Sequence, residues 1–161
     1  MAVLVALALA LGGYALVNAR LNVVSITAEV TPAFERQQEF TALQTAMDQD
    51  ALLGIPYAEE LPGSSMDYNF ITFTFRLENP GMINAEMVEI APVPLSGDRL
   101  SYATLDAAQV NANHIVPAHG AADLWCVVVT DAGTDDAPQR SFRVTYYLWG
   151  MKKSVTAYYN R

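Results

Sequence analysis

The segment "DYNFITFTFRLENPG" (residues 67–81) decides the fold of this 161-residue chain. Apolar side chains occupy alternate positions in it, and these are Ile71, Phe73, Phe75 and Leu77. Because successive side chains of a strand point to opposite faces, this alternation predicts a strand with one face in a core. The sequence Asn79-Pro80-Gly81 then predicts a tight turn, since proline fixes φ and glycine permits a positive φ. The chain after it is therefore expected to return as a partner strand.

Working outward, the segments on both sides have the same character. Strands are predicted in "LNVVSITAEVT" (21–31), "MINAEMVEIAPVPL" (82–95), "DLWCVVVT" (123–130), "QRSFRVTYYLWG" (139–150) and "KSVTAYYN" (153–160), and a short one in "RLSYATL" (99–105). In the first of these, Val24 is expected to share the inward face with Ile26, Ala28 and Val30. About seven strands joined by short turns predict a mainly β fold, an antiparallel β-sandwich.

One segment changes period. In residues 32–53, apolar residues recur at steps of three and four, at Phe40, Leu43, Met47 and Ala51. This spacing predicts an amphipathic helix that begins with Thr31 as its cap and Pro32 in its first turn, and that Gly54 ends. We expect it to lie across a sheet or to cap one end. The stretch from Gly54 to Asp67 is predicted to be a loop.

The layout "FRLENPGMINAEMVEI" (75–90), "IVPAHGAADLWCVVV" (115–129) and a terminal hairpin resembles immunoglobulin-like and fibronectin-III-like sandwiches of bacterial and archaeal cell-surface proteins. The resemblance covers residues 68–159, and the predicted helix at 32–53 departs from the plain pattern. It implies an Ig-like sandwich and a module that binds, spaces or assembles rather than an enzyme. The predicted domain covers residues 21–161.

The chain begins with the apolar stretch "MAVLVALALALGGYALVNAR" (1–20), whose first charged side chain is Arg20. About 20 helical residues span roughly 30 Å, which suits a transmembrane-type helix. A removable signal peptide is an alternative, but the stretch is long for one. Small residues also recur on one face of such a helix and could pack against other helices. They are Ala8, Gly12, Ala15 and Ala19.

Charge and composition exclude some partners. With 17 acidic and 9 basic side chains, the net charge is -8, and no basic stripe suited to nucleic acid is present. The only lysines are Lys152 and Lys153, which are too few for a polybasic lipid-binding patch. The chain offers no phosphate loop or dinucleotide fingerprint, and we expect no cofactor.

Residues with catalytic or metal-binding chemistry are sparse. His114, His119 and Asp123 flank a Pro/Gly turn, and Asp131, Asp135 and Asp136 share one loop. Neither set has the spacing of common zinc or calcium sites, so ordinary loop residues are the preferred interpretation. Cys126 lies in an apolar strand and is expected to be a buried, inert thiol.

An aromatic group near the end of the chain remains. Tyr147 and Trp149 are expected to share an outward face with Arg143 and, on the next strand, with Tyr158. Aromatic side chains beside a basic one suit contact with a protein or a glycan. The alternative is that the helix at 32–53 covers this face.

Two functions stay open. The first is a membrane-anchored, extracytoplasmic, non-catalytic binding or accessory module. The second is a surface filament subunit similar to type IV pilins, with its N-terminal helices packed in the filament core. The charge-free start favours the second, whereas the short apolar stretch and Val5, where bacterial pilins usually carry an acidic residue, argue against it.

Overall fold

The chain is described by a computed structural model for residues 20–105, 114–133 and 136–160, together with Val3, Val5, Gly12 and Gly13. Ala8, Ala15 and Ala19 of the predicted packing face, and Asp135 of the aspartate loop, lie outside the described residues. Most of the apolar helix predicted at 1–20 likewise lies outside the described residues, and within these no helix is both long enough and apolar enough to span a bilayer.

Two antiparallel sheets make up most of the fold, which confirms the mainly β, antiparallel prediction. The eight strands of the described residues are β1 (Asn22–Pro32), β2 (Gly54–Pro56), β3 (Tyr68–Asn79), β4 (Glu86–Pro92), β5 (Asp98–Tyr102), β6 (Gly120–Asp131), β7 (Arg140–Leu148) and β8 (Met151–Tyr159). The larger sheet has the order β1-β3-β6-β5-β2 and the smaller one the order β4-β7-β8. The Ig-like relationship stays a prediction.

The main core lies between the two sheets. The alternate residues predicted to face inward on β3 are fully buried in it, and alternate residues of β7 are buried in it as well, namely Phe142, Val144, Tyr146 and Leu148. At its centre the Phe73 ring meets the rings of Phe142 and Tyr159, with centroids 4.8 and 5.4 Å apart. On β1 the inward residue is Val23 instead of the predicted Val24, because a bulge between Val23 and Ser25 shifts the register.

A second apolar cluster lies on the opposite face of the larger sheet. A short 3₁₀ turn (Ala33–Arg36) leads into the helix α1 (Gln37–Asp48), whose Phe40 and Leu43 cover Phe70 and Val129. The helix is shorter than the predicted 32–53 at both ends. Thr31 and Pro32 still pair with β3, so the predicted cap and helix start are wrong at these positions.

The predicted loop after the helix also contains a strand. Gly54 opens the short edge strand β2 and pairs with Tyr102 instead of ending the helix. A Cβ at Gly54 would lie 2.3 Å from the Ser101 carbonyl oxygen. Only glycine therefore allows this close pairing without a shift of the backbone.

A buried ion pair links the two sheets at one end. Arg140, at the start of β7, donates two hydrogen bonds of 3.1 Å to the carboxylate of Asp98, at the start of β5. Both side chains are only 1% exposed. Asp98 also accepts a 2.7 Å hydrogen bond from the Leu95 backbone N–H. The pair thus fixes the smaller sheet to the larger one at this end.

The opposite end of the domain is where the chain enters it. The Leu21 N–H donates to the Tyr146 hydroxyl at 3.3 Å, and Leu21 packs in the same core as Ile83 and Leu148. The β3–β4 turn and the β7–β8 turn therefore lie beside the start of β1. We call this the Trp149 end, consisting of Arg20, residues 80–86 and residues 149–153.

Candidate functional site

The outward surface of the β7–β8 hairpin is the candidate contact site. Its antiparallel register pairs residues that share this surface, which we name the β7–β8 face. The face consists of Ser141, Arg143, Thr145, Tyr147, Lys152, Ser154, Thr156 and Tyr158. The residues between these positions point inward, since Phe142, Val144 and Ala157 are buried in the main core.

Three of the four predicted contact residues lie on this face. Arg143 is opposite Thr156, which makes Tyr158 its diagonal neighbour, within reach of a long side chain. Tyr147 lies four positions along β7, about 13 Å away at 3.3 Å per residue. The structure therefore brings Arg143 and Tyr158 together and places Tyr147 beside Lys152 instead.

The fourth predicted residue, Trp149, does not share the face. It forms the two-residue β7–β8 turn with Gly150, and their φ angles are 49° and 76°. Two positive φ angles define the turn type that matches the twist of a hairpin. The prediction that Trp149 continues the alternation of β7 is wrong because the strand ends at Leu148. Its side chain is 66% exposed at the tip.

The helix does not cover the β7–β8 face. Its apolar residues pack on Phe70, Tyr102, Val127 and Val129, all of which belong to the larger sheet. The alternative in which the helix shields the aromatic residues near the end of the chain is therefore wrong. Tyr158 is 68% exposed, and Arg143 and Lys152 form no ion pair with any residue that the structure describes.

The chemistry of the face suits contact more than catalysis. Five of its exposed or half-buried side chains carry hydroxyl groups, which both donate and accept hydrogen bonds, whereas Thr145 is buried. Tyrosine adds apolar area at a small cost in conformational entropy, and arginine is frequent at the energetic centre of interfaces. Lys152 and Thr156 were not predicted as residues of the contact face. The two-residue turn at Trp149-Gly150 would have revealed them, because it fixes which residues of β8 face outward.

A cleft of about 560 Å³ opens between the sheets on the side of β4 and β5. Met87 lines it from a bulge of β4 with a φ of 50°, and Tyr102, His114 and Ile115 also line it.

A polar group lies beside the helix on the larger sheet. Glu39 accepts hydrogen bonds from Arg36 at 2.6 Å and from the Tyr102 hydroxyl at 2.5 Å. Burial, followed by the bond to the Glu39 carboxylate, raises the pKa of Tyr102 above its ordinary value. The Arg36 guanidinium also stacks 4.5 Å from the centroid of the Phe70 ring. These contacts hold the helix on the sheet, and Tyr102 stays a neutral hydrogen-bond donor.

Three of the residues considered for metal binding have other partners among the described residues. Asp123 pairs with Arg76 at 2.9 Å, and His114 Nδ1 lies 2.6 Å from the Val88 carbonyl oxygen. Asp131 accepts two hydrogen bonds from Arg99, at 2.7 and 2.9 Å. No group of three or more acidic, histidine or cysteine side chains in the described ranges is arranged to hold a metal ion.

Cys126 lies in the main core, as its sequence context indicates. It is 1% exposed, and burial raises the pKa of its thiol to about 12. A thiol with this pKa is protonated at neutral pH and a poor nucleophile.

No family model, no curated protein and no solved structure matches the chain.

Proposed function

We propose that this protein is a membrane-anchored, extracytoplasmic, non-catalytic binding module whose contact surface is the β7–β8 face. The observation that carries this proposal is that the helix covers the larger sheet and leaves this face uncovered. Tyrosine is intermediate in burial, and an exposed tyrosine ring offers a partner apolar area with a polar tip. Tyr158 is 68% exposed and is the diagonal neighbour of Arg143, which forms no ion pair within the described residues.

The partner is proposed to be a protein or a glycan. Hydroxyl-rich side chains can match the alternating donors and acceptors of either, and the tyrosine rings provide flat apolar surface. The face is of mixed charge along its edge with β4. Arg143 and Lys152 are basic, and Glu86 and Glu89 of β4, opposite Tyr147 and Thr145, are acidic.

The anchor is proposed to be the apolar stretch of residues 1–19, on the basis of its sequence. Its hydrophobicity suits insertion, and a charged residue at the centre of a spanning helix costs about 2.5–3.5 kcal/mol. A variant with both Leu9→Arg and Leu11→Arg is therefore expected to leave the membrane fraction. The unchanged chain is expected to stay there after alkaline carbonate washing and to be digested by a protease added outside intact cells.

Site-specific photocrosslinking tests the contact face. A benzoylphenylalanine at position 158 is expected to give an adduct on intact cells, whereas the same group at position 34 is expected to give none. Phe34 is a matched control because it is 49% exposed and lies in the 3₁₀ turn beside the larger sheet.

Competition makes the assay specific. Excess unlabelled chain is expected to abolish the adduct, and a chain carrying R143A and Y158A is expected to leave it intact. Both side chains are exposed, so the variant should keep its fold, which circular dichroism checks. Equal competition by both chains, or an equal adduct at position 34, would show that the β7–β8 face is not the contact surface.

A further inference from the structure

The Trp149 end combines exposed apolar side chains with basic ones. Met82 in the β3–β4 turn is 74% exposed, Trp149 66% and Met151 42%. Arg20 and Lys152 are also exposed, and Lys153 is half-buried. This end therefore holds both lysines of a chain whose net charge is -8. The acidic residue of this end is Glu86, opposite Tyr147, and Glu78, opposite Asn22, lies beside it.

Trp149 keeps a conformation that its residue type disfavours. Its φ is 49°, in the left-handed region that bulky side chains rarely adopt, and asparagine or glycine is the usual choice at this position of a hairpin. No hydrogen bond or ring contact holds its side chain among the residues that the structure describes. Neither turn geometry nor packing thus explains a tryptophan at the tip.

The position of this end relative to the chain supplies a reason. The apolar stretch of residues 1–19 leads directly through Arg20 into β1, and the Leu21 N–H is bonded to Tyr146, three residues before Trp149 in sequence. If residues 1–19 anchor the domain, the linker between the anchor and β1 is very short. The Trp149 end then faces the surface in which residues 1–19 are inserted. Tryptophan is enriched at the level of lipid headgroups, and lysine and arginine are attracted to anionic lipids.

We infer that the Trp149 end rests on the surface of a phospholipid bilayer, with Trp149 and Met82 at headgroup level and Arg20 and Lys152 near lipid phosphates. This inference rests on the proposed membrane anchoring and adds to it a fixed orientation of the domain. Lys152 also belongs to the β7–β8 face, whose other residues extend away from the surface along the strands.

The chain has two tryptophans, which gives a matched pair of reporters. W125F leaves Trp149 as the only tryptophan, and W149F leaves Trp125. Trp125 is a good control because it is also exposed, at 49%, but lies five residues down β6 from Gly120 at the Trp149 end. That separation is about 16 Å at 3.3 Å per residue.

Each full-length variant is reconstituted into vesicles of phosphatidylcholine and phosphatidylglycerol, with or without lipids brominated near the headgroup. Bromine is expected to reduce the emission of the W125F chain and to leave that of the W149F chain unchanged. The Trp149 emission is also expected to shift to shorter wavelength and to resist quenching by acrylamide in the water. Vesicles of phosphatidylcholine alone are expected to give weaker quenching.

Flotation of the same vesicles separates the two proposals. If the chain floats with the lipid but bromine fails to quench Trp149, the resting surface is not lipid, a protein partner or a second copy takes its place, and the anchoring stands. If the chain does not float, the anchoring fails and the inference falls with it. Equal quenching in neutral and anionic vesicles would overturn the role given to Arg20 and Lys152.

Discussion

The buried ion pair between Asp98 and Arg140 should contribute far more to stability than its hydrogen-bond distances of 3.1 Å suggest. Replacing Arg140 by methionine leaves the Asp98 carboxylate buried, with the Leu95 N–H as its remaining partner among the contacts described above. An unpaired buried charge costs about 3–5 kcal/mol. For a domain of this size, that loss lowers the melting temperature by roughly 10–20 °C.

The structure provides a matched control in the pair between Arg76 and Asp123. Its distance is 2.9 Å, shorter than the 3.1 Å of the buried pair, but its side chains are 48% and 53% exposed. Exposed pairs contribute about 0–1 kcal/mol, so R76M should have a small effect. Burial rather than distance is thus the variable under test.

Urea unfolding of the full chain in detergent, followed by near-ultraviolet circular dichroism, measures both effects. D98N combined with R140M should recover much of the loss, because it removes both charges and keeps an acceptor for the Leu95 N–H. An R140M cost no larger than that of R76M would refute the reasoning. A double variant whose loss of unfolding free energy equals the sum of the losses of D98N and R140M would refute it as well.

Three further outcomes are expected. Phe73→Ala should cost about 3–5 kcal/mol in urea unfolding, since its fully buried ring meets Phe142 and Tyr159, whereas the exposed Phe34→Ala should cost little. The pKa of Cys126 is raised to about 12 in the folded chain, so its contribution to stability is complete below pH 9 and is lost between about pH 9 and 12. The free energy of unfolding should therefore fall less steeply in that window for Cys126→Ala, and an equal slope would contradict this. Trp149→Asn should stabilise the chain by about 1 kcal/mol in thermal unfolding, because asparagine tolerates the positive φ; a loss would mean that the indole contributes to folding.

The core faces of β3 and β7 were predictable because alternation depends only on local sequence. The order of the strands within each sheet was not predictable, since pairing depends on contacts between distant segments. One signal for the position of the helix was nevertheless present in Cys126-Val127-Val128-Val129. A continuous apolar run indicates a strand covered on both faces, and Val127 and Val129 indeed lie under the helix while Cys126 and Val128 lie in the main core.

The contact face was predictable in part for the same reason. The alternation of Arg143 and Tyr147 on β7 held, because both lie within one regular strand. Trp149 does not follow this alternation, because the strand ends where φ becomes positive. Gly150 was the feature of the sequence that indicated a turn at this point. The helix boundary failed at Thr31 and Pro32, where pairing with Phe70 and Asn69 outweighed the local preference for a helix start.

The register of the β7–β8 hairpin has a consequence for how a partner could approach. Ser141 and Tyr158 are paired near one end of the hairpin and Trp149 is at the other, eight residues from Ser141. If the Trp149 end lies on a bilayer with the strands upright, Tyr158 stands about 26 Å above it at 3.3 Å per residue. The normal of the β7–β8 face is then parallel to the membrane plane. A partner anchored in the same membrane, with an extramembrane domain of similar height, would contact this face while its anchor stays in the bilayer.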